Sequence, residues 1–285
     1  MSFSTIGVVG AGVMGADLAF DLACHGYGVV LKDIDESVLD SAKKKMLQNL
    51  RFMKMVKGDY PTLTKDALLE AVTFTVDYDA FASVDMVIEN VTEDYDIKEK
   101  VYKELREACD ADTVYGVNTS CISITKIGSL MPDPSLVIGM HFMNPVPMKE
   151  MVEVIRGHYT SDETINRIEA LLSSMGKTAV VVNDYPGFVT NRVLMLTINE
   201  AIWTVQDGVA EPKDVDKIFR LGFGHKMGPL ATGDLIGLDT ILNSLLVLYE
   251  SYNDPKYRPC PLLVKMVDAG LLGKKSGKGF FNYDS

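Results

Sequence analysis

In the first third of the chain short apolar runs alternate with amphipathic stretches, the pattern of strands and crossover helices in a parallel sheet. Thr5 to Val9 and Gly28 to Leu31 read as strands, with a helix from Gly12 through Cys24 between them. After Asp35 the apolar positions Val38, Met46, Leu50 and Met53 recur at helical spacing, and that helix is expected to turn Lys43, Lys44 and Lys45 outward. Further strands are predicted at Asp85 to Ile88, Thr113 to Val117, Leu136 to Met140, Met151 to Ile155 and Thr178 to Val182, with helices at Ile97 to Glu107 and Ile165 to Met175 among them. From Pro186 onward strand patterns vanish and helices are predicted at Val189 to Gln206, Lys213 to Arg220 and Leu235 to Tyr249. Asp184-Tyr185-Pro186-Gly187 punctuates that change. The expected architecture is α/β: a doubly wound Rossmann-type sheet over residues 1–185, then an all-helical domain over 186–285.

The segment Leu235 to Leu248 is apolar around most of its circumference and should be buried on several sides. A domain of that size supplies little core of its own, so part of this surface is expected to meet a second subunit in a homodimer. The length of 285 residues, with 47% hydrophobic and 24% charged positions, suits two such globular domains. A net charge of −11 argues against nucleic acid and anionic membrane as partners. No run reaches the length of a membrane span, and the first residues lack the basic flank and cleavage site of a signal peptide, so a cytoplasmic protein is expected. Cys24, Cys109, Cys121 and Cys260 are far apart and form no C-x-x-C pair, which suits reduced thiols; no metal is expected.

Gly10-Ala11-Gly12-Val13-Met14-Gly15 follows the first strand and opens a helix, the context that gives a G-x-G-x-x-G its meaning. Its glycines let the backbone turn tightly against a pyrophosphate, and the first helical amides attract the negative charge. Asp33 ends the second strand 18 residues after Gly15, where a carboxylate can accept hydrogen bonds from the adenosine ribose. Such a carboxylate repels a 2′-phosphate, which favours NAD over NADP, with the neighbouring Lys32 as an opposing charge. Asn118-Thr119-Ser120 and the run from His141 to Pro147 end two later strands, where a doubly wound sheet gathers its ligands. Glu153 is an acid inside an apolar strand and needs a buried partner; His141 is the obvious one.

These segments resemble the 3-hydroxyacyl-CoA dehydrogenase family, particularly its bacterial 3-hydroxybutyryl-CoA members. The resemblance runs through the glycine motif, Asn118-Thr119-Ser120, His141-Phe142-Met143-Asn144-Pro145-Val146-Pro147, Val152-Glu153-Val154-Ile155, Pro186-Gly187-Phe188 with Asn191-Arg192, Met227-Gly228-Pro229, Asp234 to Asp239 and Gly273 to Phe280. It implies that His141 removes the hydroxyl proton, Glu153 holds its ring, Ser120 and Asn191 contact the substrate oxygen, and Glu93 and Lys98 line the nicotinamide side of the cofactor. Asn118 and Asn144 are further candidates there, Asn144 ranking lower because it shapes an Asn-Pro turn. The chemistry asks for the same residue types: a base of near-neutral pKa must take the proton as C3 becomes a carbonyl, and imidazole suits that need.

The chain departs from the family pattern at Met148-Lys149-Glu150 and His225-Lys226, near the expected substrate entrance. Where relatives hold the CoA nucleotide with Ser and Lys, the register gives Asn49 and Val56, with Lys54 and Lys57 nearby. These changes leave two carriers open, an acyl-CoA and an acyl carrier protein of polyketide extender-unit biosynthesis. A rival of another class is an inactive protein that binds NADH and keeps only the fold; the full set of His141, Glu153, Ser120 and Asn191 argues against it.

Overall fold

The computed structural model describes residues 3–283 apart from 59 and 62. By its internal contacts the chain divides into two compact units, Met1–Tyr185 and Pro186–Ser285. Strand β1 (Thr5–Val9), helix α1 (Val13–Cys24), β2 (Gly28–Lys32) and α2 (Glu36–Val56) open the first unit. After them come α3 (Lys65–Glu70), β3 (Val72–Thr75), β4 (Met86–Glu89), α4 (Tyr95–Ala108), β5 (Val114–Val117) and α5 (Ile124–Gly128). The unit closes with β6 (Val137–Phe142), β7 (Met151–Arg156), α6 (Asp162–Ser174) and β8 (Thr178–Asn183).

The eight strands form one sheet in the order β3-β2-β1-β4-β5-β6-β7-β8. The order reverses direction at β1, which has β2 on one side and β4 on the other, and the crevice at such a switch point receives ligands in doubly wound sheets. Apolar side chains from both faces explain why the central strands are continuous runs: Ile6, Val8, Met86, Ile88 and Val114 are fully buried. One pairing departs from the expected parallel sheet. β6 and β7 are antiparallel, because residues 143–150 between them are too short for a crossover. That single reversal sets His141 directly opposite Glu153.

The lysine triplet of α2 also departs from expectation. Lys43 and Lys44 are exposed, but Lys45 pairs with the buried Asp17 of α1 at 2.8 Å and donates to the Val13 carbonyl. Asn49 donates to the same carboxylate, so α2 is fastened along α1.

Among the described residues the second unit is built on the helices α7 (Thr190–Gln206), α8 (Pro212–Gly222), α9 (Pro229–Ile236), α10 (Leu238–Tyr252) and α11 (Pro261–Asp268), with no strand beyond isolated bridges at Gly273, Lys278 and Asn282. The single helix expected at Leu235 to Tyr249 is broken. Gly237, at φ 108°, turns the chain by 96° between α9 and α10, a conformation that glycine adopts without a Cβ clash. In α10 Leu238, Ile241, Leu245 and Leu248 face the core, whereas Leu246 is 47% and Val247 37% exposed. Asp234 at the end of α9 accepts from the Phe280 and Phe281 amides and from the Tyr283 hydroxyl, which ties the last described residues to this core. Among the described residues no single helix is long and apolar enough to cross a membrane.

Candidate active site

The glycine loop is built for close approach. Gly10 has φ 92°, and a Cβ on Gly15 would lie 1.8 Å from the Gly10 carbonyl oxygen, so any side chain there would force α1 off β1. Gly12 has open space beside its Cα, and no side chain caps α1, so the first-turn amides of Val13 and Met14 are available to an anion. Asp33, just past β2, accepts from the Ala11 amide at 2.7 Å and from the Ile34 amide at 2.8 Å. A cavity of about 330 Å³ runs past Gly10, Gly12, Lys32, Asp33, Tyr78 and Asn90. Open glycine flank, uncapped helix and fixed carboxylate together fit a dinucleotide with its pyrophosphate on α1 and its ribose on Asp33.

Further along the strand tips a buried network fixes two loops. Lys98, in the first turn of α4, is fully buried and gives its ammonium to both oxygens of Glu89 at 2.7 and 2.8 Å and to the Asn118 carbonyl at 3.1 Å. Asp94 caps α4 and so fixes where Lys98 begins. Glu89 accepts in addition from the Val91 amide. Burial pushes the Glu89 carboxyl above its ordinary value, against the pull of Lys98 and Val91. Asn118 donates to Asn90 and accepts from the Phe142 amide, linking β4, β5 and β6 at their ends. Glu93 gathers the next turn on one oxygen, accepting from the Thr119 hydroxyl and from the Ser120 and Cys121 amides at 2.5, 2.8 and 3.1 Å. Burial, then Glu93, pushes the Cys121 thiol up to about 12, so it stays protonated at neutral pH and is a poor nucleophile.

This turn delivers Ser120 to His141. The Ser120 hydroxyl lies 3.1 Å from Nε2 of His141, and Nδ1 of the same ring lies 3.0 Å from Glu153. His141 is 7% and Glu153 2% exposed. With Nδ1 against the carboxylate, the ring proton belongs there, and Nε2 turns its lone pair toward the strand tips. The arrangement is a base at Nε2, an acid that stabilises its charged form, and a hydroxyl beside both the base and the cofactor loops.

The structure thus joins His141, Glu153, Ser120 and Glu93 by direct hydrogen bonds, and Asn118 accepts from the amide of Phe142, the residue after His141. Lys98 is fully buried, with its ammonium on the Glu89 carboxylate and the Asn118 carbonyl. Asn144 is exposed, before a cis bond to Pro145. Asn191 is buried in the first turn of α7, in the second unit. The sequence pattern does not single out Glu89 or Asn90, although Glu89 carries the same signal as Glu153, an acid closing the apolar run Met86-Val87-Ile88.

A Rossmann-type sheet with a carboxylate-backed imidazole at its strand tips defines a class, the nicotinamide-dependent dehydrogenases of hydroxyl groups. The comparisons narrow it. Family models described as the 3-hydroxyacyl-CoA dehydrogenase NAD binding domain and C-terminal domain match residues 5–185 and 187–283. The chain belongs to the 3-hydroxyacyl-CoA dehydrogenase family. It is 45% identical to a probable 3-hydroxybutyryl-CoA dehydrogenase of Deinococcus radiodurans, over 97% of this chain and 99% of the relative. A 3-hydroxybutyryl-CoA dehydrogenase of Clostridioides difficile is 43% identical over 98% and 99%. The crystal structure of (S)-3-hydroxybutyryl-CoA dehydrogenase from Ralstonia eutropha matches with a TM-score of 0.93 at 41% identity, covering all of both chains.

Proposed function

We propose that this chain interconverts a short L-3-hydroxyacyl thioester, of the 3-hydroxybutyryl-CoA kind, and its 3-oxoacyl form with NAD. The observation that carries the reading is His141 held between Glu153 and Ser120 at the strand tips. In the oxidative direction Nε2 of His141 accepts the proton of the substrate 3-hydroxyl, and Glu153 stabilises the imidazolium that forms. Ser120 donates a hydrogen bond to the same oxygen, orienting it as C3 becomes trigonal. NAD, when bound, supplies the hydride acceptor. Gly10, Gly12, Gly15, Val13 and Met14 would hold its pyrophosphate and Asp33 its ribose. Glu93 and Lys98 act by holding the Ser120 and Asn118 backbone. Asn191 is retained as an amide for the substrate oxygen on the family motif alone. In the reductive direction the same groups return the proton.

A second carrier is favoured by one feature: Lys43, Lys44 and Lys54 are exposed on α2, a cationic row suited to an acidic acyl carrier protein, while Asn49 is committed to Asp17. NADH oxidation measured with acetoacetyl groups on CoA and on an acyl carrier protein separates the two. Saturable turnover of acetoacetyl-CoA is expected; a kcat/KM more than tenfold higher on the protein carrier moves the assignment there, and turnover of neither rejects the reading.

A homodimer formed through the helical unit belongs to the same proposal, supported by Leu221, Phe223, Leu235 and Leu246, apolar side chains that are 74%, 69%, 55% and 47% exposed. Sedimentation equilibrium at micromolar concentration is expected to give twice the chain mass, and the single-chain mass would reject the dimer.

A further inference from the structure

The dinucleotide cavity contains a cation that the assigned roles do not use. Lys32, the last residue of β2, is 5% exposed and lines the same cavity as Asp33. Its backbone is fixed, since its carbonyl accepts from the Gly10 amide at 2.8 Å. Among the described residues no carboxylate comes within ion-pair distance of its ammonium; the contact it makes is with the face of Tyr78, 4.3 Å from the ring centroid. A cation withdrawn from water is costly without a counter-charge, and an aromatic face compensates part of that cost.

The ring is held in place from behind. Tyr78 packs edge-on to Phe81, with centroids 5.2 Å apart and planes at 72°. Phe81 is fully buried and sits over Gly7 of β1, where a Cβ would come within 2.5 Å of its ring. Gly7, Phe81, Tyr78 and Lys32 therefore form one stack from the central strand to the cavity wall.

A lysine next to the ribose-reading carboxylate bears directly on which dinucleotide is taken. Free in the cavity, its ammonium could meet the 2′-phosphate of NADP and offset the repulsion from Asp33. Held on Tyr78, it leaves Asp33 as the charge that decides. We propose that Tyr78 is a specificity-determining residue, which keeps the site selective for NAD by holding the Lys32 ammonium against its ring. The proposal rests on the dinucleotide reading of this cavity and is independent of which thioester is the substrate.

Nicotinamide fluorescence, titrated with NADH and NADPH against the full-length chain, tests it without turnover. Tyr78→Leu is expected to raise NADPH affinity relative to NADH by about tenfold, the scale of one charge-assisted hydrogen bond. Tyr78→Phe keeps the ring and should keep the wild-type ratio. Lys32→Met alone should leave the ratio within about twofold, and in the Tyr78→Leu background it should abolish the gain. An unchanged ratio in Tyr78→Leu with wild-type melting, or a gain that survives Lys32→Met, overturns the proposal. So does weaker NADPH binding in Lys32→Met alone, which would mean that the lysine already faces the ligand. Binding of neither nucleotide by the wild-type chain would reject the dinucleotide reading as well. Should Tyr78→Leu fail to fold, the Tyr78→Phe and Lys32→Met ratios decide.

Discussion

Replacing Lys98 by Met is expected to destabilise the protein by about 3–5 kcal/mol, because it strands the Glu89 carboxylate in a site with no exposure. The loss should depend on pH. Burial already raises the Glu89 carboxyl, and without Lys98 it rises further, so the folded variant binds a proton that the unfolded chain releases above its ordinary carboxylate range. Stability of the variant relative to wild type should therefore fall as pH rises from about 5 to 8, and chemical denaturation across that range measures it. A Lys98→Met/Glu89→Gln double variant should recover part of the loss, since no unpaired charge remains. NADH binding should weaken at least tenfold even in the double variant, because Lys98 also holds the Asn118 carbonyl and Glu89 the Val91 amide. A Lys98→Met protein as stable as wild type at pH 8 would contradict the buried-pair account.

That pair also marks how far residue patterns reach. Glu153 was legible because an acid inside an apolar strand needs a partner, and His141 was the imidazole at hand. Glu89 obeys the same rule, yet the predicted strand stops one residue earlier, at Ile88, so the residue pattern offers no buried partner for Lys98. Strand direction left no trace in periodicity: alternation along β6 and β7 is the same whichever way they run, so the antiparallel reversal that joins His141 to Glu153 appears only in three dimensions. Edge strand β3, Val72–Thr75, stays hidden because it offers only two apolar residues, Val72 and Phe74, whereas the equally short β4 carries the continuous apolar run Met86-Val87-Ile88. On the helical side, the apolar run from Leu235 concealed a break at Gly237, since hydrophobicity does not report backbone dihedrals. Lys45 reads as a solvated charge in sequence because its partner, Asp17, lies a helix away. The glycine loop read correctly as to fold because strand, glycines, helix and acid are consecutive in sequence, and each constrains the backbone locally.

The larger effect on turnover is expected at His141. His141→Gln keeps a polar side chain of similar reach between Ser120 and Glu153 but removes the imidazole that joins them, so kcat should fall by about 10²- to 10⁴-fold in either direction. Glu153→Gln should fall less, by about 10- to 10³-fold, since the imidazole survives and loses only the charge that steadies it. Both variants should bind NADH within about twofold of wild type, because neither side chain belongs to the glycine loop or to the Asp33 carboxylate. The decisive measurement is a single-turnover one, NADH oxidation by acetoacetyl-CoA in wild type and His141→Gln with enzyme in excess and both ligands saturating. A rate reduced at least a hundredfold at unchanged NADH affinity is the predicted result; equal rates in the two proteins would contradict the assignment of His141 as the proton-transfer group.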